Sequence, residues 1–394
     1  MSQTPSPSRV PLAWRNLTEN PWRFAASVAG ASFAVVLMFS QIGFRNALLD
    51  NMVAAITHLD GQLFLVNPSR YILTTPAAFP RERIELARSA DGVAGAWPFY
   101  VEVNLHTRWR NVTTGTTRPV RLLAFDPDAD LLDLPGVRGQ REALRSPETA
   151  LADRRSSRSL FGPMPAGTVS ELNGRRVRIA GTFELGTDFR SNGTLVLSEA
   201  NFLRYEPQRV LAGGIGRTSV DVGVVRVEPG RDLEAVRQAI AALMPADVRV
   251  LTRPELEAQE HRFWENAAPI GTVFDIGLLM GFIVGLGICY QVLFSEVADR
   301  LAEFATLKAM GYTNGWLVRR IIEMGLYLGI VAYVVGVMVT VVLYRVLQER
   351  TGLSMQLRPT SLALVLILTL AMCGLSGLLA GRRLRTADPA DLFG

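Results

Sequence analysis

The sequence predicts a membrane protein of four transmembrane α-helices with a large α+β domain inserted between helices 1 and 2. Four apolar runs, each nearly free of charge, occupy 24–44, 267–294, 321–344 and 361–381. At ~1.5 Å per residue, about 20 residues cross the ~30 Å hydrocarbon core of a bilayer. The segment 45–266 is long enough to bury a core of its own and mixes strand-like with helical patterning. Basic residues, finally, flank the spans unevenly.

That bias sets the expected orientation, because Arg and Lys favour the cytoplasmic side of short flanks. Arg9, Arg15 and Arg23 precede the first span, and Arg382, Arg383 and Arg385 follow the last. Arg300, Lys308, Arg319 and Arg320 lie between spans two and three, whereas Arg345, Arg350 and Arg358 face Glu349 in the loop 345–360. Both termini are expected inside and 45–266 outside.

In chain order, 1–23 reads as a cytoplasmic tail ending in an interfacial helix over Val10–Asn20, with Trp14 and Trp22 at headgroup level. The run 24–44 exceeds the apolar core of a cleavable leader and reads as an uncleaved anchor. Arg45 to His58 continues it as a helical stalk. Strands are expected at 62–66, 97–109, 118–125, 175–184, 194–198, 219–227 and 248–251. Helices are expected at 79–89, 231–244 and 254–266, in a domain with room for two lobes. Residues 126–170, rich in Pro, Gly, Arg and Ser, read as an inserted or more mobile part.

The stretch that organises the rest runs from Pro269 to Tyr312. It is free of charge from Ile276 to Phe294 and then turns polar. Glu296, Asp299, Arg300, Glu303 and Lys308 alternate with Val297, Leu301, Phe304, Leu307 and Met310 at helical spacing, predicting an amphipathic helix over 297–310 that Gly311 ends. Residues 295–320 are thus a cytoplasmic coupling helix and turn. Gly281 with Gly285, Gly325 with Gly329, and Gly377 with Gly381 have helix-packing spacing within the membrane, serving either packing inside one chain or a dimer seam. Asp275, Glu323 and Arg345 mark either an ion pathway or helices that protrude past the headgroups.

Several functions are excluded or disfavoured. The net charge of +5 and pI near 9.5 are not gathered into a basic stripe, and Arg154, Arg155 and Arg158 read as a solvated loop, so nucleic acid is not the partner. Cys289 and Cys373 both fall in spans and leave the outer domain without a disulfide or a metal-ligand spacing. His58, His106 and His261 are scattered, with no G-x-S-x-G or H-E-x-x-H around them, which leaves an enzyme reading without a constellation. A P-loop needs G-x-x-x-x-G-K-[ST], and the sole lysine, Lys308, is followed by Ala309 and Met310. Any ATP and Mg²⁺ would therefore be bound by another chain.

Phe263 and Trp264, PIG at 269–271, MGFIVG at 280–285, YQVLF at 290–294 and EFATLKAMGY at 303–312 occur in order. With FAVVLMFSQIGFRNAL at 33–48 and Asp388, Pro389 and Ala390 near the end, the chain resembles the DevC family of ABC-exporter permeases within the MacB/FtsX/LolC-like group. It departs from the family pattern at Val35, Arg300 and Phe304. The resemblance implies a homodimeric inner-membrane permease with a periplasmic domain between its first two spans. It implies a separate ABC ATPase subunit docked on the cytoplasmic helix, a periplasmic membrane-fusion adaptor and an outer-membrane channel, with an amphiphile, glycolipid among the candidates, as cargo.

On that expectation the docking residues are Leu301, Glu303, Phe304, Ala305, Thr306, Leu307, Lys308, Ala309, Met310, Gly311 and Tyr312. The apolar side chains supply contact area, Glu303 and Lys308 set orientation, and Ala305 and Ala309 permit close approach. Packing of the same apolar residues under the protein's own spans is the competing reading. An FtsX-like regulator of a periplasmic partner, or a lipoprotein-releasing permease, shares this topology.

Overall fold

The computed structural model describes residues 21–188, 190–207, 209, 219–267, 270–351, 353 and 355–382. The expected tails and the interfacial helix over 10–20 lie outside them. Four helices among the described residues are long and apolar enough to cross a membrane: α1 (Pro21–Thr57), α7 (Ile270–Asp299), α9 (Asn314–Thr351) and α10 (Pro359–Arg382). Pro21 opens α1, where its missing N–H costs nothing. No break separates the apolar run of α1 from the stalk that follows it.

Two compact units divide the chain. The helical unit takes residues up to Arg45, Ile270–Val346 and the chain from Met355. Small groups line part of its interior: Ala31, Ala34, Ala332 and Cys373 are fully buried beside Met372, and the Cys289 and Cys373 sulfurs lie 3.6 Å apart. Polar side chains inside it bond to backbone. The Ser32 hydroxyl donates to the Ala332 carbonyl (3.0 Å), that of Ser376 to Leu286 (2.8 Å) and that of Tyr344 to Phe39 (2.6 Å). With no water in a bilayer core, such bonds satisfy these hydroxyls inside the protein.

The six glycines at packing spacing all face helices of the same chain. A methyl group at Gly285 would come within 2.8 Å of the Ala34 Cβ, and one at Gly325 within 2.8 Å of the Cys373 carbonyl oxygen. Gly281 meets Met38, Gly329 the Cys373 side chain, Gly377 the backbone of Ile322, and Gly381 Val318.

The second unit comprises Asn46–Pro269 together with Leu347–Ser354. Its strands are β1 (Leu63–Val66), β2 (Phe79–Pro80), β3 (Val93–Glu102), β4 (Arg108–Arg110), β5 (Thr117–Pro119), β6 (Arg121–Phe125), β7 (Thr149–Asp153), β8 (Val169–Leu172), β9 (Arg175–Phe183), β10 (Thr194–Ser198), β11 (Ser219–Val220), β12 (Val222–Val227) and β13 (Arg249–Thr252). Its helices are the end of α1, α2 (Glu82–Arg88), α3 (Arg158–Phe161), α4 (Glu199–Tyr205), α5 (Leu233–Leu243) and α6 (Arg253–Ala267).

Eleven strands form one mixed sheet in the order β13-β1-β12-β3-β6-β10-β7-β9-β8-β4-β5, and β2 pairs with β11. The pairs β6–β10 and β7–β9 are parallel; the other pairings are antiparallel. One sheet thus runs through the region in which the sequence left room for two lobes.

Both faces of this sheet are covered, which explains why its central strands are apolar throughout rather than alternating. Side chains of a strand point to opposite faces in turn. Leu63, Leu65, Tyr100, Leu122 and Ala124 enter one core with Ile84, Phe202 and Ile240 from α2, α4 and α5. Phe64, Val66, Phe99, Leu123 and Phe125 enter the other, under Ile56 of α1 and Leu256 of α6.

The segment 126–170, expected as an inserted or more mobile part, is packed into the domain. Leu131, Leu134, Val137 and Leu144 close the second core, and all five residues of β7 are buried. The helix expected over 79–89 is also shorter, because Phe79 and Pro80 pair with Val220 and Ser219 as a strand.

Candidate functional site

The expected helix over 297–310 is divided in the structure. The second span continues as helix to Asp299, the backbone turns at Arg300, and a separate helix α8 covers Leu301–Ala309. Its end follows from sequence. Gly311 adopts φ +97°, a conformation costly for any residue with a Cβ, and Tyr312 N–H donates to the Leu307 carbonyl (3.1 Å) while Gly311 N–H donates to Lys308 (3.0 Å). Thr313 then caps α9, its hydroxyl accepting from Trp316 N–H (3.3 Å).

Opposite sides of α8 have different surroundings. Leu301 and Leu307 are half-buried against the helical unit's cluster of Val28, Leu293, Val297, Leu317 and Ile321. Glu303, Thr306, Met310 and Tyr312 are exposed, Met310 at 64% and Tyr312 at 43%. Lys308 is half-buried, and the side chains of Phe304, Ala305 and Ala309 lie outside the described residues.

Charges cluster around this element. Arg23 at the start of α1 reaches Ser295 (2.7 Å), Glu296 (3.9 Å) and Asp299, all near the end of α7. Arg300 pairs with Glu296 (3.7 Å) and Glu303 (3.6 Å), bridging the break between α7 and α8. Arg319 and Arg320 hold Glu323 at 3.2 and 2.7 Å, and Arg320 lies over the Trp316 ring, which in turn meets Tyr312 at 4.5 Å between centroids. Sequence reasoning took Arg23 as a flank charge and gave Arg300 no partner; only the fold brings residue 23 to 299. Of the charges placed near span ends, Asp275 pairs with Arg45 (3.6 Å), Glu323 is paired as above, and Arg345 is exposed.

The α/β unit holds its own buried charges. Asp221 and Arg70, both at most 1% exposed, pair at 2.5 Å. Asp221 also accepts from Val101 N–H (3.1 Å) and Arg209, which lies 3.6 Å from Glu102. Burial pushes Glu102 up to about 7 against the pull of Arg209, and it lowers Arg70 despite Asp221. Glu260 of α6 accepts from Leu73 N–H (2.7 Å) and the Trp264 indole (2.9 Å), and burial raises it to about 7 as well.

The Arg253 guanidinium donates to the carbonyls of Thr57 (2.8 Å), Leu59 (2.6 Å) and Gly61 (2.8 Å), satisfying the C-terminal end of α1. These groups are saturated by one another, as structural networks are. Among the described residues no cluster of His, Cys, Asp and Glu could hold a metal.

Fold and charge placement define a multi-pass membrane protein that carries a mixed-sheet domain between its first and second spans. The model of the MacB-like periplasmic core domain matches residues 24–243, and that of the FtsX-like permease C-terminal region matches 276–389. The chain belongs to the MacB/FtsX-like family of ABC-transporter permeases, whose members work with ABC ATPase partners.

It is similar in structure to the extracellular domain of the noncanonic ABC-type transporter YknZ from Gram-positive bacteria, at 15% identity and a TM-score of 0.35, covering 49% of this chain and 99% of that one. It is also similar to the periplasmic region of MacB from Actinobacillus actinomycetemcomitans, at 11% identity and 0.36, covering 54% and 97%. The family assignment rests on the two domain matches and not on these likenesses. No curated protein matches the chain significantly.

Proposed function

We propose that this chain is the permease subunit of a DevC-type exporter, with both termini in the cytoplasm. In it, α8 receives an ABC ATPase that binds the ATP and Mg²⁺. The working unit is a homodimer in the inner membrane that passes ATP-driven movement to the periplasmic α/β domain. With a membrane-fusion adaptor and an outer-membrane channel, that movement drives an amphiphile such as a glycolipid outward.

One observation carries the docking part of this reading: α8 is anchored on one side and open on the other. Leu301 and Leu307 pack on the bundle, while Glu303 and Thr306 of α8 and Met310 just past its end are exposed. A partner that seats on the open side therefore pushes a helix already keyed to α1, α7 and α9. The apolar reach of Met310, with the outer edge of the Tyr312 ring that rests on Trp316, supplies contact area, and Glu303 adds a rim charge that selects the partner more than it tightens binding.

The test is affinity purification of the full chain in mild detergent, with mass spectrometry of what accompanies it. A P-loop ATPase, an adaptor and an outer-membrane channel are expected with the wild type. Met310→Asp should lose the ATPase while membrane insertion is unchanged. Recovery of the ATPase at wild-type levels with that variant would overturn docking on α8, and a cell-wall hydrolase in place of the adaptor would overturn export.

A further inference from the structure

The loop Leu185–Asp188 is held by the sheet on one side and holds two long helices on the other. Its sheet side is charged and fully buried. Asp153, at the end of β7 and 1% exposed, accepts from the N–H groups of Leu185 (3.1 Å), Gly186 (2.8 Å) and Arg155 (3.0 Å). Asp188 pairs with Arg121 of β6, with both side chains under 5% exposed, and Arg121 also donates to the Thr194 hydroxyl of β10 (3.0 Å). Asp188 further accepts from Arg190 and Ser191 N–H, both at 2.8 Å. Three adjacent strands in the middle of the sheet thus fix the loop.

Its helix side depends on one residue. The Thr187 hydroxyl donates to the carbonyl of Thr351 (2.9 Å), the last residue of α9, where helical carbonyls have no partner of their own. The Thr187 carbonyl accepts from the Asn51 side-chain amide of α1 at 2.7 Å. Asn51 and Thr187 are 6% and 4% exposed, so water does not compete for the bond between them, while the bond to Thr351, an exposed residue, is partly shielded. Residues 347–354 and 46–57 belong to the α/β unit, yet each continues a membrane helix.

We propose that Thr187 is the positioning residue through which movement of α1 and α9 enters the β6-β10-β7 strands. This rests on the permease reading above and names the route its work takes. Separating the buried charges on the sheet side is expensive, so the loop moves with the sheet. Breaking the helix-side bonds would leave the buried Asn51 and Thr187 groups unpaired, so movement of the helices carries the loop with it.

The test is hydrogen exchange by mass spectrometry on the full chain with its co-purified ATPase in lipid nanodiscs, with and without a non-hydrolysable ATP analogue. In the wild type the analogue is expected to change protection in peptides covering 121–125, 149–153 and 194–198. Thr187→Val keeps the shape of the side chain and removes the donor. It should raise exchange at the end of α9 about fivefold, the size expected for one lost hydrogen bond. It should also abolish the nucleotide-dependent change in the three strands while ATP turnover continues.

Thr187→Ser restores the donor and should restore both. Asn51→Leu, which cuts the other bond, should weaken the response from the α1 side if T187V does not assemble. A T187V chain whose strands still respond to nucleotide overturns this proposal alone. A wild type with no nucleotide response anywhere overturns the permease reading and this proposal with it.

Discussion

The helical unit and the α/β unit solve the problem of buried polarity in opposite ways. The α/β unit buries full charges, Arg70 with Asp221 and Arg121 with Asp188, and satisfies each with several partners. The helical unit keeps its ion pairs at helix ends, as with Arg23 and Asp299 or Arg45 and Asp275. Inside, hydroxyls bond to carbonyls and glycines let backbones touch. One unit is specified by charge pairing and the other by size. Each should therefore fail by a different kind of substitution.

The largest effect is expected from Asp221→Ala, which strands Arg70 without its counter-charge and should cost about 3–5 kcal/mol. Tryptophan fluorescence during denaturant unfolding of the full chain would measure it; a loss below about 1 kcal/mol would mean the pair contributes little to the domain. The size-based counterpart is Gly325→Leu. Its side chain meets the Cys373 carbonyl oxygen, which cannot yield as a flexible side chain would, and about 1–3 kcal/mol of bundle stability should be lost. Thermal unfolding in detergent reads this directly, and wild-type behaviour would show the glycine faces to be loose.

Acidity separates the units further. Glu102 and Glu260 are raised to about 7 from an ordinary 4.5, so the folded domain holds their protons more tightly than the unfolded chain does. Their contribution to stability is complete below about pH 4.5 and is lost as pH rises to about 7, by about 1–3 kcal/mol per group. Comparing wild type with Glu260→Gln across pH 5–8 isolates one share, and identical slopes would refute it. The smallest effect is expected from Ser32→Ala in the bundle, about 0.6 kcal/mol, because a lost hydroxyl in an apolar setting removes one modest bond and leaves a carbonyl with its helical partner. A loss comparable to that of D221A would erase the contrast between the units.

How much was legible follows the same division. The spans stood out because uninterrupted apolar runs need no partner to be recognised, and β10 at 194–198 was read with its observed bounds because all five of its residues are apolar or small and buried. The segment 126–170 was not legible. Its Leu131, Leu134, Val137 and Leu144 are diluted among prolines, glycines and arginines, and they become a core only against a sheet face built from distant strands. At the candidate docking element, the glycine end was readable from a local rule. The break at Arg300 was not, since Arg300 is held by Glu296 and Glu303 while Arg23 secures the neighbouring turn from the far end of the sequence. Thr187 carried no signal at all, for both its helix partners are more than a hundred residues away.

Lys308 has a practical consequence beyond its place in α8. It is the sole lysine in a chain with 41 basic residues. Reagents that attack primary amines, ordinarily indiscriminate, therefore have one side chain to find here, and it sits in the element proposed above to receive the ATPase. A cross-link from this protein to any neighbour through a lysine amine must start at 308, so the chemistry itself reports the address of the contact.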